Sequence, residues 1–416
     1  MSSSLETLHA SGKRAVREGN LQAGLALLQQ AALKTAAREE DYCAVLHDLR
    51  DASLQLARFR DALSVNWYLG DNSAMQPLLA KVPAVDVART LVLFSASDDD
   101  NAQQLRLQAA ELYESLGLLT HAAINRERGA DFRAAATLWA RLSDMLVSRG
   151  EDYYAAGLAR FNLSRCASEL HERRAARSAV FSAVHLLEEA ADRYEQVGQR
   201  ERAFDCYQVL IAIGKQTGIL EHALAGYVNA IRILREDNLR YYALQSYEQA
   251  LEHVALHDEF SAAATLAKEM ADYAAAQHMP SLANHANALQ ASMWQRVAQA
   301  VLARGAPPEV AENALLAAVV SCAKRHQFHA VGKLYEALSN LELERARRVH
   351  YARAGKRYLN EPDAEIDSAP LPAHLRNDAD YPDVWHVDLI EWEQRGSVAA
   401  ACADVIVDRQ SWTEVT

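Results

Sequence analysis

A repeat of 20 residues in the middle of the chain constrains the fold more than any other feature. Four apolar positions of the repeat lie at i, i+4, i+7 and i+8, which is the spacing of one face of a helix. Each repeat therefore predicts one helix. The four columns are Ala203, Ala223, Ala243, Ala263, Ala283; Tyr207, Tyr227, Tyr247, Ala267; Leu210, Ala230, Ala250, Met270; and Ile211, Ile231, Leu251, Ala271, Ala291.

Turn-like sequences separate these predicted helices: Gly218, REDN at 235–238, HD at 257–258 and MPS at 279–281. Such short turns make neighbouring helices antiparallel, so two repeats form a hairpin of 40 residues. Each helix would be about 24 Å long. Because one helix cannot bury its apolar face alone, the hairpins are expected to stack. The alanine column lets helix backbones approach, and the tyrosines are interpreted as packing residues.

The rest of the chain is also predicted to be helical. No proline lies between Pro83 and Pro280, and proline is the residue that most disrupts helix interiors. Alternation of β-branched and polar residues, which marks strands, is nearly absent. We predict an all-α fold, an α-solenoid of antiparallel helical hairpins. The expected divisions are N-terminal hairpins (1–70), an irregular break (71–105), helical repeats (106–358, with the 20-residue register from about 199 to 298), an acidic proline-containing linker (359–382) and C-terminal amphipathic helices (383–416).

Charge and hydropathy narrow the class of protein. The net charge is −12, and the segment from Glu361 to Glu393, with ten acidic residues and one basic, carries −9 of it. Neither part resembles a surface that neutralises many phosphates, so nucleic acid is not an expected partner. No apolar run approaches the ~18 residues of a membrane span, and the N-terminus does not resemble a secretory signal. The five isolated cysteines fit reduced thiols, so we expect a cytoplasmic protein.

The helical pairs resemble a known family of repeats. Alanine and tyrosine four residues apart, and the turns GQRERA and GILEHA, resemble tetratricopeptide repeats. The 40-residue hairpin is longer than the 34 residues of that family. In the length of its helices the chain is similar to the soluble NSF attachment proteins (SNAPs). That resemblance covers roughly residues 5–345 and implies an adaptor that presents a helical surface to an ATPase and to helical clients. It carries over no site residue.

Sequence patterns for catalysis and for cofactors are missing. No GxSxG, GxxxxGK[ST] or GxGxxG motif occurs, and no catalytic signature surrounds a cysteine. Two histidine pairs have spacings that can chelate a metal, His253 with His257 and His326 with His329, but neither has an evident third ligand. We therefore predict no catalytic residue, no cofactor and no metal site.

Two features near the C-terminus are candidate partner-binding elements. One is a basic patch formed by Arg345, Arg348, Arg353, Lys356 and Arg357. It can be a solvated face, a nucleic-acid contact or a surface that attracts the acidic linker. The other is an apolar stripe formed by Trp385, Leu389 and Trp392, which we predict to anchor docking on a partner or on the chain itself, because aromatic residues dominate interface energies.

The sequence as a whole favours a non-enzymatic interaction scaffold or adaptor. Stacked helices leave broad faces that usually bind protein segments, so we expect a helix or peptide of a partner protein as the ligand. The alternative is a regulator of the same architecture whose curvature responds to a small molecule or a peptide. A third possibility is an accessory to an enzyme or nuclease, which a metal at His253 and His257 would support.

Overall fold

The computed structural model of the chain describes residues 2–35, 39–70, 72–96, 101–150, 152–365 and 367–372. All regular secondary structure in these ranges is helical, so the predicted all-α repeat fold is confirmed. The chain divides into two compact units, which in the described ranges cover residues 2–183 and 184–372. No helix among the described residues is long and apolar enough to cross a membrane.

Unit 1 is built from short helices that pack consecutively along the chain. The predicted irregular break at 71–105 contains two of these helices and the start of a third, and its prolines are accommodated inside one helix at Pro77 and just before another at Pro83. The helices are α1 (Ser2–Arg17), α2 (Leu21–Thr35), α3 (Glu39–Gln55), α4 (Phe59–Tyr68), α5 (Asn72–Leu79), α6 (Ala84–Ser95), α7 (Ala102–Ser115), α8 (Leu119–Arg128), α9 (Phe132–Arg149), α10 (Tyr153–Glu169) and α11 (Arg173–Gln196), within which the boundary to unit 2 falls.

Unit 2 contains the 20-residue repeat. Five successive helices begin at residues 200, 220, 240, 260 and 280, as the register predicts. Each packs on the next in the chain. The helices are α12 (Arg200–Thr217), α13 (Leu220–Glu236), α14 (Arg240–Leu256), α15 (Phe260–Ala276), α16 (Pro280–Ala303), α17 (Pro308–Lys324), α18 (Phe328–Ser339) and α19 (Arg345–Tyr358).

The turns between these helices repeat with the same period. One residue in each turn adopts the left-handed conformation, which ends a helix and favours glycine, asparagine or aspartate. The next N–H then donates to a carbonyl five residues earlier, as from Leu239 to Leu234 at 2.8 Å. This fixed turn keeps the helices in register. The left-handed positions are Gly198, Gly218, Asn238, Asp258 and His278.

The repeated columns form the core of unit 2. Every residue of the four columns is at least nine-tenths buried. Two glycines bring α12 and α13 especially close: a Cβ atom added to Gly214 would lie 2.3 Å from the backbone nitrogen of Ala223, and one on Gly226 would lie 2.7 Å from the carbonyl oxygen of Tyr207. The columns are therefore packing positions, as the sequence indicates.

Residues 361–372, which we call the strap, follow α19 and return across the starts of earlier helices. The carboxylate of Asp363 accepts the backbone N–H of His329 at 2.8 Å, at the start of α18. Asp367 accepts the hydroxyl of Ser281 at 3.0 Å, at the start of α16. Leu371 is 2% exposed. Hydrogen bonds at helix starts and one buried leucine thus hold the strap on unit 2.

The carboxylate of Asp363 is expected to stabilise α18. A carboxylate at a helix N-terminus satisfies a free N–H and interacts favourably with the helix dipole. The substitution Asp363→Ala should lower the free energy of unfolding by about 0.5–2 kcal/mol, measured by chemical denaturation. The matched control is Glu365→Ala, at an exposed strap position, which should change it by less than about 0.5 kcal/mol. Equal effects of the two substitutions would contradict the capping role.

Candidate functional site

A groove of about 580 Å³ lies between the C-terminal halves of α13 and α15, over one residue of α14. It combines apolar, aromatic and charged side chains, which is typical of sites that bind a ligand with both apolar and polar groups. Its lining residues are Val228, Ile231, Arg232, Arg235 and Glu236 of α13, Tyr247 of α14, and Leu266, Glu269, Tyr273, Ala276 and Gln277 of α15.

The repeat itself generates the polar part of this groove. A basic residue near the end of one helix meets a column tyrosine 12 residues later, on the next helix. Arg235 donates to the hydroxyl of Tyr247 at 3.0 Å, and one repeat earlier Lys215 lies 6.0 Å from the ring centre of Tyr227. A third ring completes each set, Tyr273 in the groove and its repeat equivalent His253 beside Tyr227.

Arg235 is the groove cation that remains available to a ligand. Its neighbour Arg232 is neutralised, because it pairs with Glu195 and lies 3.6 Å from Glu236. The guanidinium of Arg235 contacts two tyrosines, bonding to Tyr247 and lying 4.9 Å from the ring centre of Tyr273. Among the described residues it forms no ion pair with a carboxylate. An anionic group entering the groove would find this cation exposed at its surface.

The hydroxyl of Tyr273 is a second unused group in the groove. The Tyr273 side chain is 93% buried, being 7% exposed, and its hydroxyl has no hydrogen-bond partner among the described residues. A buried hydroxyl without a partner costs about 1–3 kcal/mol. A ligand that supplies an acceptor would recover part of that free energy.

Apolar side chains form the opposite part of the lining. Val228 is 57% exposed on α13, while Ile231 and Leu266 present the sides of mostly buried residues. An apolar side chain of a ligand can therefore pack here while a neighbouring acceptor reaches Arg235 and Tyr273. Both requirements are met by a short peptide that carries an acidic residue beside an apolar one.

The predicted basic patch lies elsewhere, on α19. Arg345, Arg348, Arg353, Lys356 and Arg357 are all exposed, and Arg357 lies 3.4 Å from Glu361 at the start of the strap. The inner face of the helix is anchored to Glu312 of α17 by other residues, Arg347 at 3.0 Å and Tyr351. The role of the patch stays a prediction.

The predicted apolar stripe of Trp385, Leu389 and Trp392 lies outside the described residues. The structure therefore leaves its docking role as a prediction.

The two histidine pairs have different surroundings. His253 is buried and its ring meets that of exposed His257 edge to face, with centres 4.8 Å apart. His326 occupies the left-handed turn before α18, and the N–H of His329 is bound by the strap. No cluster of three or more potential metal ligands occurs in the described ranges.

Burial gives His253 a predictable pH effect. It lowers the pKa of the imidazole below its usual 6.5, and His257 and Lys215 lower it further. The folded chain thus binds fewer protons than the unfolded chain, so unit 2 should lose stability as the pH falls below 6.5. Thermal melting between about pH 7.5 and pH 5.5 should show a shallower decline for His253→Gln than for the wild type. An exposed-histidine control, His185→Gln, should retain the wild-type slope; equal slopes for all three proteins would contradict this account.

Comparison with known proteins gives structural likenesses only. No protein-family model matches the chain, and no curated protein matches it. The apo form of RapI is 12% identical, with 71% of this chain and 99% of that chain covered and a TM-score of 0.23. The TPR domain of P58(IPK) is 15% identical, with 86% and 98% covered and a TM-score of 0.18. Yeast Tom70 is 10% identical, with 86% and 96% covered and a TM-score of 0.18. TM-scores this low place the chain in no family.

Proposed function

We propose that the protein is a non-enzymatic interaction scaffold or adaptor that binds a peptide or helix of a partner protein. The observation that carries this proposal is the groove between α13 and α15. Its volume of about 580 Å³ suits several side chains of a peptide. Its available groups, the Arg235 guanidinium and the Tyr273 hydroxyl, favour a segment with a carboxylate beside an apolar residue.

The finer elements of the proposal rest on the sequence. The resemblance to SNAPs implies that the partner belongs to an ATPase or another multiprotein assembly. Isolated cysteines fit a cytoplasmic setting; in the described ranges Cys43, Cys166, Cys206 and Cys322 are free thiols. We infer no catalytic role, because the groups that line the groove fit recognition of a segment.

Affinity purification with quantitative mass spectrometry tests this function. The bait is the full-length chain, and the decisive variant is Arg235→Glu, which reverses the charge of an exposed groove residue. A partner that uses the groove should be depleted at least about tenfold, equivalent to 1.4 kcal/mol. The matched control is Arg353→Glu on α19, which should retain the partner. Undiminished recovery with Arg235→Glu, in a variant that melts like the wild type, would refute the groove as the binding surface.

A ligand-gated regulator is the second function consistent with the same groove. Here a small molecule or free peptide, rather than a stable protein partner, would be the ligand. A ligand that binds the folded chain raises its melting temperature. A screen of acidic peptides and small carboxylates by thermal melting, repeated with Arg235→Glu, distinguishes the two functions: a shift with a small carboxylate favours the regulator.

A further inference from the structure

The groove and the strap meet at one end of unit 2. In antiparallel neighbours, the end of one helix adjoins the start of the next. Gln277 lies at the end of the groove, and four residues later Ser281 binds Asp367 of the strap. Asn284 adds a second contact by donating to the carbonyl oxygen of Asp367 at 3.3 Å. The strap therefore delivers the following chain to the end at which the groove opens.

The strap also has a direction. It contacts the start of α18 through Asp363 and then the start of α16 through Asp367, so it runs backwards along the helices. The next helix start in this direction is that of α14, between the ends of α13 and α15. Three large apolar or aromatic side chains are exposed there, each by 44–54%: Leu239, Tyr241 and Tyr242. A continuing chain would reach this apolar surface at the end of the groove.

The sequence that follows the strap complements the groove in charge and in apolar character. Residues 373–393 carry six acidic residues and one basic residue, a net charge of −5. They also contain Trp385, Leu389 and Trp392 at i, i+4 and i+7. The groove offers the available cation Arg235 beside apolar Val228. The acidic residues are Asp378, Asp380, Asp383, Asp388, Glu391 and Glu393.

The distance between the strap and the groove allows this contact. From Asp367 to Leu389 the chain has 22 residues, which reach at most about 75 Å when extended. The lining of α15, from Leu266 to Gln277, is about 18 Å long at 1.5 Å per residue. The segment can therefore reach any part of the groove without leaving its own chain.

We propose that residues 378–393 dock in the groove of their own chain and thereby block the site for a partner. A carboxylate of the segment binds Arg235 and the Tyr273 hydroxyl, and Leu389 packs against Val228. The strap raises the local concentration of the segment, so weak contacts are sufficient to keep it bound. A partner must displace the segment to bind. This inference builds on the proposed function, but the docking itself can be tested without any partner.

Disulfide trapping in the full-length chain tests the docking. The test protein carries Val228→Cys and Leu389→Cys, and the control carries Val349→Cys, an exposed position on α19, with Leu389→Cys. After mild oxidation, mass spectrometry quantifies each disulfide. We expect the 228–389 bond to form at least about tenfold more readily than the 349–389 bond, and Arg235→Glu to reduce it by a similar factor. Arg235→Gln, which removes the charge without reversing it, should reduce it less.

Several outcomes would overturn the docking. Preferred trapping at position 349 would place the segment on the basic patch, and equal trapping at both positions would show no preferred surface. Mixing with isotopically labelled chains identifies bonds between molecules; a predominance of these would assign the groove to a second copy. None of these results depends on partner binding, so the proposed scaffold function would fail separately, through the affinity purification with Arg235→Glu. Melting curves of each variant confirm that the fold is retained.

Discussion

The substitution Trp139→Ala is expected to destabilise unit 1 by about 3–5 kcal/mol. The indole of Trp139 on α9 is completely buried, and its N–H donates to Glu127 of α8. Glu127 also accepts from the thiol of Cys166 on α10 at 3.5 Å, with Arg165 at 3.7 Å. Removing the indole leaves a cavity where three helices meet and deprives a buried carboxyl of a donor. Chemical denaturation followed by far-ultraviolet circular dichroism measures the loss.

Two further variants separate packing from hydrogen bonding at this position. Trp139→Phe keeps much of the ring volume but removes the N–H, so it should cost less than Trp139→Ala. Burial raises the pKa of Glu127, so the ionised form is disfavoured inside the protein, and Glu127→Gln should partly offset the loss in the phenylalanine variant at neutral pH. A loss below about 1 kcal/mol for Trp139→Ala would contradict the burial of this ring.

The substitution Gly214→Ala is expected to destabilise unit 2 by about 1–3 kcal/mol, or more. In an ordinary helix the same change stabilises by about 0.5–1 kcal/mol, because alanine loses less backbone entropy. At Gly214 the added methyl group would lie 2.3 Å from the nitrogen and 2.6 Å from the Cβ of Ala223. Since those atoms belong to backbone and to a column alanine, α12 and α13 must move apart. Thermal and chemical denaturation measure the change.

The control for this prediction is Ser261→Ala, at an exposed position on α15. It should change the free energy of unfolding by less than about 0.5 kcal/mol. A stabilising Gly214→Ala would show that the two helices are not in close contact.

The repeat could be predicted because the same side-chain types recur at the same helical positions. The alanine, tyrosine and aliphatic columns, the helix starts and the turn at Gly218 all follow from that register. The helices within 71–105 were harder to predict, because Pro77 and Pro83 indicate a break. Pro77 instead lies within the eight residues of α5, and Pro83 immediately precedes α6, where a missing N–H costs nothing.

The groove could not be read from the columns alone, because it depends on residues that differ between repeats. Arg235 belongs to a turn-like sequence, and only the structure shows that its guanidinium reaches back over Tyr247. Tyr273 replaces the Ile213, Ile233 and His253 of earlier repeats. A basic residue 12 positions before a column tyrosine, found at Lys215 and Arg235, was the available signal. The contacts of the strap involve residues more than 30 apart in sequence and have no local pattern.

Site-specific photo-cross-linking at Val228 tests the binding groove most directly. A photoreactive amino acid replaces Val228 in the groove or Val349 on α19, each in the full-length chain in its native cell. A protein segment, from a partner or from residues 378–393, should be captured at position 228 in preference to position 349. Arg235→Glu should abolish that product. Equal capture at both positions, or a product at position 228 that Arg235→Glu leaves unchanged, would contradict a binding site between α13 and α15.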